Sequence, residues 1–142
     1  MFSGEQSHQL DAKNRIRIPS QFKLPENEDL VFCKGTTQCI YVMPKSAVDK
    51  MCEEFYNVSL FDEEAQEAFS EYMSGFYTIE ADAQGRYLLP QALREYAGIN
   101  KNVITVGVFN RLEIWSEEVK KEKRQQRSFA DSIKVLRSKV GK

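Results

Sequence analysis

A nine-residue motif occurs twice in this sequence and constrains the fold more than any other feature. Residues 11–19 read DAKNRIRIP and residues 82–90 read DAQGRYLLP, so Asp, Ala, Arg and Pro recur 71 positions apart. The apolar segments downstream recur as well, with Val31 matched to Val103 at a spacing of 72. Self-similarity at a fixed spacing is typical of repeated structural units. The sequence therefore predicts two copies of one small unit that pack together.

The predicted organisation is one domain with two internal repeats, because 142 residues is the length of a single domain. A repeat of about 45 residues is too small to bury a core by itself, so we expect the two copies to close one β-barrel. The predicted fold class is α+β, mainly β, with pseudo-two-fold symmetry. Within residues 1–142, the predicted segments are a first repeat at 3–44, linking helices at 45–73, a second repeat at 74–116 and a C-terminal helical tail at 117–142.

Each copy of the motif is predicted to form a tight turn followed by a short strand. The carboxylates of Asp11 and Asp82 can accept hydrogen bonds from backbone N–H groups two residues further on. Asn14 and Gly85 occupy the fourth position, and both residue types tolerate positive φ. We therefore expect Asn14 and Gly85 to shape the turns, and we expect each strand to end at the proline.

Apolar periodicity predicts further strands and helices around the motif. Segments rich in β-branched residues indicate strands at 30–34, 39–43, 103–108 and 112–115. A helix is expected after Pro44 with Ser46 as its N-cap, and a second helix is expected from Asp62. Apolar faces at helical spacing are predicted over Val48, Met51, Cys52 and Phe55 in the first helix, and over Phe129, Ile133, Leu136 and Val140 in a tail helix.

Charge is distributed unevenly along a chain whose formal net charge is only −1. Residues 45–82 hold two basic and ten acidic side chains, a net charge of −8, whereas residues 117–142 hold nine basic and four acidic side chains, a net charge of +5. Residues 11–23 hold four basic side chains against one acidic side chain. A contact with nucleic acid would therefore have to be a local patch rather than a uniformly basic surface.

Arg15 and Arg86 are the residues of the motif with the clearest binding chemistry. A guanidinium is a planar fork of donors that can pair with a guanine edge or with phosphate. The alternative is that each arginine only braces its own turn through the aspartate. The two interpretations are compatible if the aspartate directs the arginine outward. Lys13 and Arg17 would then contact phosphate beside the two arginines.

Catalytic and metal chemistry find little support among the remaining residues. His8 is the only histidine, and no glycine-rich phosphate loop occurs. Cys33, Cys39 and Cys52 are odd in number and lack C-x-x-C spacing, which is typical of reduced thiols in a cytoplasmic protein. No apolar run approaches the roughly 18 residues of a membrane span. We therefore predict no catalytic residue, metal, cofactor, small-molecule substrate or membrane contact.

The motifs DAKNRIRIP, DAQGRYLLPQALREYAG and VGVFNRLEIW resemble the MraZ family, which belongs to the AbrB-like group of swapped-hairpin barrels. The resemblance covers residues 1 to about 116, and the tail is similar only in being helical and charged. It implies a cytoplasmic, nucleoid-associated bacterial repressor at the promoter of the division and cell-wall gene cluster. It also implies a ring-shaped homo-oligomer that binds short tandem repeats of double-stranded DNA.

Carried over by position, the resemblance implies DNA contacts by Asp11, Lys13, Arg15, Asp82 and Arg86. The sequence departs from the family pattern where Asn14 replaces the usual glycine and where Tyr87 replaces a small aliphatic residue. Two other classes of function stay open. AbrB-like barrels also serve as antitoxins, and the amphipathic tail would suit binding of a protein partner. An enzyme would require a closed polar pocket that contains the single histidine.

Overall fold

The computed structural model describes residues 1–141, which form eight β-strands and five α-helices. The strands are β1 (Glu5–Gln9), β2 (Arg15–Arg17), β3 (Leu30–Lys34), β4 (Ile40–Pro44), β5 (Tyr77–Ile79), β6 (Arg86–Leu88), β7 (Asn102–Val108) and β8 (Arg111–Ser116). The helices are α1 (Lys45–Cys52), α2 (Glu63–Met73), α3 (Gln91–Ala97), α4 (Glu117–Gln126) and α5 (Phe129–Ser138), with a 3-10 turn at Glu53–Phe55. The predicted mixture of strands and helices is confirmed.

The strands form two antiparallel sheets in which the two repeats interleave. The larger sheet has the order β1-β7-β8-β4-β3-β5, and β2 pairs with β6 in a separate two-stranded ribbon. The first strand of each repeat therefore pairs inside the other repeat, β1 with β7 and β5 with β3. Exchanging β1 with β5, β3 with β7 and β4 with β8 reverses this strand order, so the sheet is symmetric about its central β8–β4 pair. Among the described residues the sheets do not close into a ring, so the predicted closed swapped-hairpin barrel is not confirmed.

The strand register corrects the alignment of the repeats downstream of the motif. Leu30 pairs with Pro44 in the first hairpin, and Val103 pairs with Ser116 in the second. The hairpins superpose in register when Leu30, not Val31, is the equivalent of Val103. The match by sequence was therefore wrong by one residue. A slip of one residue sends every side chain of a strand to the opposite face, so only the corrected register places Leu30 and Val103 in the same core.

The main core lies between the six-stranded sheet and the β2–β6 ribbon. Ile16 and Leu89 from the ribbon side are 0% and 1% exposed, and they pack with Phe32 of the sheet and with α3. Tyr87, the departure from the family pattern, packs its ring 5.5 Å from that of Phe32, measured between centroids. The opposite face of the sheet carries a smaller core around Val31, Met43 and Val48 of α1. The ribbon and α1 therefore cover opposite faces of the sheet.

Two features of the helices differ from the sequence prediction. Helix α1 begins at Lys45 with Pro44 as its N-cap, so the prediction of Ser46 as N-cap is wrong. The helix starts two residues earlier than predicted, and the backbone N–H of Ser46, in its first turn, donates to Glu28 Oε1 at 2.8 Å. The predicted tail helix is two helices, since Arg127 is extended and Ser128 begins α5 with a capping box.

Candidate nucleic-acid interface

The two Asp-x-x-x-Arg turns have the same internal geometry. Asp11 Oδ1 accepts backbone hydrogen bonds from Lys13 and Arg15, both at 2.9 Å. Asp82 Oδ1 accepts the equivalent pair from residues 84 and 86, also at 2.9 Å. The fourth residues have positive φ, 61° at Asn14 and 76° at Gly85. Both copies of the motif therefore form a turn in which the aspartate accepts two backbone hydrogen bonds and the fourth residue is left-handed.

The β2–β6 ribbon places the two turns side by side. Its antiparallel register pairs Arg15 with Leu88 and Arg17 with Arg86. The backbone N–H of Leu89 extends the pairing by donating to the carbonyl of Asn14 at 3.0 Å. Because Ile16 is fully buried at the centre of the ribbon, the turns are held on a packed element rather than on a free loop. Residues 71 positions apart in sequence thereby form one surface.

Asp11, Arg15, Asp82 and Arg86 form a four-membered ionic cluster, here called the ribbon quartet. Each arginine bonds its own aspartate through Nε, at 2.7 Å in the first turn and 3.0 Å in the second. Each Nη1 also approaches the aspartate of the other turn, at 3.7 Å for Arg15 and 3.5 Å for Arg86. The quartet has two positive and two negative charges, so its net charge is zero.

The arginines of the quartet brace the turns and still present donors to solvent. Nε of each guanidinium is engaged by the aspartate, whereas no hydrogen bond within residues 1–141 engages the terminal nitrogens of Arg15 or Arg86. Their side chains are 26% and 23% exposed. A guanidinium held at Nε can still donate two parallel hydrogen bonds end-on from Nη1 and Nη2. Bracing and outward presentation, the two interpretations left open by the sequence, are both compatible with this geometry.

The aspartates of the quartet stay ionised well below neutral pH. The backbone N–H of Arg15, helped by its guanidinium and by the N–H of Lys13, lowers the pKa of Asp11. The backbone N–H of Arg86, with the N–H of Gln84 and the Arg86 guanidinium, lowers the pKa of Asp82. Hydrogen bonds to the charged form favour it. The charge balance of the quartet is therefore maintained at any pH near neutrality.

Lys13 and Arg17 supply the net positive charge of the ribbon surface. Both side chains are exposed, and the guanidinium of Arg17 donates to the carbonyl of Gln84 in the other turn. The equivalent positions in the second repeat are Gln84 and Leu88, and Leu88 is 58% exposed. Leu88 was not predicted as part of this surface from the sequence, although the alignment of the two repeats makes it the equivalent of Arg17. The surface is thus symmetric in its backbone and asymmetric in its exposed side chains.

His8 is partly buried, and Cys33 and Cys39 are fully buried. His8 Nε2 lies 2.7 Å from Thr105 Oγ1, and partial burial lowers the histidine pKa. Burial raises the pKa of the Cys33 and Cys39 thiols to about 12. Within residues 1–141, no group of three or more His, Cys, Asp or Glu side chains is placed to hold a metal ion. In the same part of the chain, no helix is long and apolar enough to cross a membrane.

Comparison with known proteins finds one matching family model and several relatives that share one name. The family model described as "MraZ protein, putative antitoxin-like" matches residues 1–70 and 72–132. A protein of Finegoldia magna named Transcriptional regulator MraZ is 41% identical over 118 residues, which cover 83% of this chain and 82% of the relative. A protein of Clostridium acetobutylicum with the same name is 42% identical over 118 residues, or 83% of each chain.

A third relative extends the similarity along almost the whole chain. This protein of Clostridium beijerinckii, also named Transcriptional regulator MraZ, is 36% identical over 141 residues, or 99% of each chain. The similarity therefore includes the tail, which the sequence motifs alone did not reach. Because the family model matches most of the chain and these relatives cover more than two thirds of it, the chain belongs to the MraZ family.

Proposed function

We propose that this chain is a transcription regulator that binds double-stranded DNA through the β2–β6 ribbon. In this proposal it represses the division and cell-wall gene cluster from tandem repeats in the promoter, in the cytoplasm and on the nucleoid. The names of its relatives support regulation of transcription. The observation that carries DNA binding is the pairing of β2 with β6, which sets Arg15 and Arg86 side by side. Their Nη1 atoms lie within ion-pair distance of the aspartate of the other turn, but no hydrogen bond within residues 1–141 engages their terminal nitrogens.

Recognition would divide between the quartet and the residues around it. Arg15 and Arg86 donate end-on to guanine O6 and N7 in the major groove, a pairing worth about 1–3 kcal/mol of discrimination. The aspartates hold each guanidinium at Nε, so little side-chain entropy is lost on binding. Lys13 and Arg17 contact phosphate, which positions the ribbon but does not select a sequence. Affinity for DNA then resides in a patch, as the net charge of the chain requires.

Oligomerisation would supply the remaining affinity. One ribbon with two arginines reads few base pairs and is expected to bind weakly. A ring-shaped homo-oligomer would engage several tandem repeats at once, and effective concentration raises the overall affinity by about 100-fold or more without new contacts. An assembly bound across the promoter excludes RNA polymerase, which makes the regulator a repressor.

The test measures binding of the full chain to the DNA upstream of its own gene and to a scrambled fragment of the same length. We expect Arg15→Ala and Arg86→Ala each to weaken specific binding by roughly 5- to 150-fold, as the loss of one bidentate contact predicts. Lys45→Ala is the matched control, because Lys45 is exposed on α1, across the sheet from the ribbon. This control should reproduce the parent affinity.

Thermal melting of each variant establishes that the chain is folded before its affinity is interpreted. If both arginine variants are folded and retain the parent preference for the upstream DNA, the quartet only braces the turns and the proposal is wrong. Equal losses in the arginine variants and in Lys45→Ala would show that binding follows overall charge alone. Either result removes the assigned role of the ribbon.

A further inference from the structure

Two exposed apolar surfaces contain no residue of the ribbon and have no role in the proposed DNA contact. The first is the apolar stripe formed by α5 and the residues just after it, here called the α5 stripe. Phe129 and Leu136 of α5 are 83% and 63% exposed, and Val140, just beyond the end of the helix, is 69% exposed. The second is a groove of about 480 Å³ beside α1 and α2, here called the α2 groove. It is lined mainly by Cys52, Val58, Leu60, Phe69, Tyr72 and Met73.

The α2 groove is a formed surface with an open apolar wall. Phe55 and Phe69 pack with ring centroids 5.4 Å apart and hold the 3-10 turn against α2. Leu60, Tyr72 and Met73 nevertheless remain 77%, 40% and 43% exposed. Contiguous exposed apolar surface of this kind is typical of an interaction site. The α1–α2 segment that forms the groove is strongly negative, with eight acidic and two basic side chains in residues 45–73.

The α5 stripe is complementary to this groove in shape and charge. Phe129, Ile133 and Leu136 follow the i, i+4, i+7 spacing of a helix that docks in an apolar groove. The helical part of the stripe, from Phe129 to Leu136, is about 11 Å long at 1.5 Å per residue, which is about two thirds of the length of the eleven-residue helix α2. Arg137 and Lys139 flank it, and the tail as a whole has nine basic and four acidic side chains.

We propose that α5 of one copy of this chain docks in the α2 groove of a second copy. In the folded chain both surfaces are exposed together, and α5 makes no hydrogen bond or ion pair with α1 or α2 among residues 1–141. The chain therefore does not satisfy its own groove. An isolated helix of ten residues is marginal in water, so α5 gains stability from docking as well as affinity.

The contact is heterologous, because the tail and the groove are different surfaces of the same chain. Each copy can insert its tail into one neighbour and accept the tail of another. Such head-to-tail contacts close into a ring when the rotation between copies permits it. The inference rests on the proposed homo-oligomer and assigns its interface. The antitoxin-like alternative would use the same α5 face for a different protein, but an apolar groove within a complementary acidic segment lies on this chain.

The test uses two full-length variants whose mass is measured by light scattering at matched protomer concentration. Leu136→Glu places a negative charge in the stripe, which the apolar groove excludes and the acidic α1–α2 segment repels. Met73→Lys places a positive charge in the groove, which repels the basic tail. Each is expected to raise the dissociation constant of the oligomer by roughly tenfold or more. Val135→Ser is the matched control, since Val135 lies on α5 away from the stripe, and it should assemble as the parent does.

Mixing the two variants provides the decisive measurement. The Leu136→Glu copy keeps an intact groove and the Met73→Lys copy keeps an intact tail, so together they should form a 1:1 dimer and nothing larger. Leu136→Ala and Met73→Ala replace them if either charged variant loses its cooperative melting transition. A parent chain that is monomeric, variants that keep the parent mass, or a mixture that stays monomeric would each overturn the inference.

Binding of every variant to DNA that carries one repeat separates this inference from the proposed function. A monomeric parent that binds the repeat through Arg15 and Arg86 refutes the tail contact and leaves DNA binding intact. An oligomer that assembles through tail and groove and shows no preference for the repeat refutes the function of the ribbon and leaves the contact intact. Assembly that requires a different added protein would contradict a second copy as the occupant of the groove.

Discussion

The charge balance of the ribbon quartet predicts opposite effects for two substitutions in the same turn. Asp82→Asn removes one negative charge and keeps a side-chain oxygen that can accept the backbone N–H groups of the turn. The quartet then changes from neutral to a net charge of +1. Arg86→Ala leaves two carboxylates against one guanidinium, a net charge of −1. Bracing alone would predict that both changes act in the same direction.

The expected magnitude follows from the number of phosphates that the ribbon neutralises. One additional phosphate contact makes the slope of log K against log salt steeper by about 0.9. Between 50 mM and 200 mM salt, Asp82→Asn should therefore lose about 3.5-fold more affinity for scrambled DNA than the parent does, starting from tighter binding at low salt. Arg86→Ala should bind scrambled DNA more weakly, with a shallower slope. Both variants should bind repeat DNA more weakly, because Arg86→Ala lacks the guanidinium donors and Asp82→Asn no longer orients them.

Fluorescence anisotropy at several salt concentrations measures both quantities for each variant. Asp29→Asn is the matched control, because Asp29 is an exposed carboxylate beside the first residue of α1, outside both the ribbon and the α2 groove, and its loss changes the chain charge by the same amount. The reasoning is refuted if Asp82→Asn and Arg86→Ala both lower the melting temperature while the slope on scrambled DNA stays at the parent value. The same slope change in Asp29→Asn would show that the effect is not local to the quartet.

Three further expectations concern the stability of the ribbon. Backbone hydrogen bonds lower the pKa of Asp11 and Asp82. The stabilising contribution of the two carboxylates is therefore complete above the ordinary carboxyl pKa and is lost as the pH falls through the lowered values. The melting temperature should fall more steeply with acid in the parent than in an Asp11→Asn/Asp82→Asn variant, and parallel curves would contradict this. Ile16→Ala removes a fully buried side chain and should cost about 2–5 kcal/mol in urea unfolding, whereas Leu88→Ala, at an exposed position of the paired strand, should cost less than about 0.5 kcal/mol. Gly85→Ala forces a side chain into φ near 76° and should cost about 1–2 kcal/mol, so an unchanged melting temperature would argue against the left-handed turn.

The geometry of each turn could be predicted from the sequence because all its groups lie within five residues. A carboxylate, two backbone N–H groups and a left-handed fourth residue are local features, and residue type alone specifies them. The quartet could not be predicted in the same way. It depends on the register of β2 with β6, which sets the distance between Arg15 and Asp82. That register is a property of the packed ribbon, not of either turn.

Prediction from sequence patterns fails for strand β1 and for the alignment of β3 with β7. Strand β1 is polar and almost wholly exposed, so it has no apolar alternation, and its place at the sheet edge comes from pairing with β7. Strand β3 is buried on both faces over Leu30 to Cys33. A strand buried on both faces reads as a continuous apolar run, which leaves a one-residue slip undetectable by sequence. Only the partners across the sheet resolve it.

The asymmetry of the ribbon surface bears on the kind of DNA site that the proposed regulator can use. Its backbone repeats at a spacing of 71, yet Arg17 in one half corresponds to the exposed Leu88 in the other. A cationic side chain suits phosphate, and an apolar side chain suits the methyl group of thymine. A ribbon with identical halves would favour an inverted repeat, since operator symmetry mirrors protein symmetry. A ribbon with unlike halves gives each subunit a direction on the duplex. Copies joined head to tail around a ring share that direction, so the asymmetry within one ribbon and the heterologous contact between copies both favour tandem repeats in a single orientation.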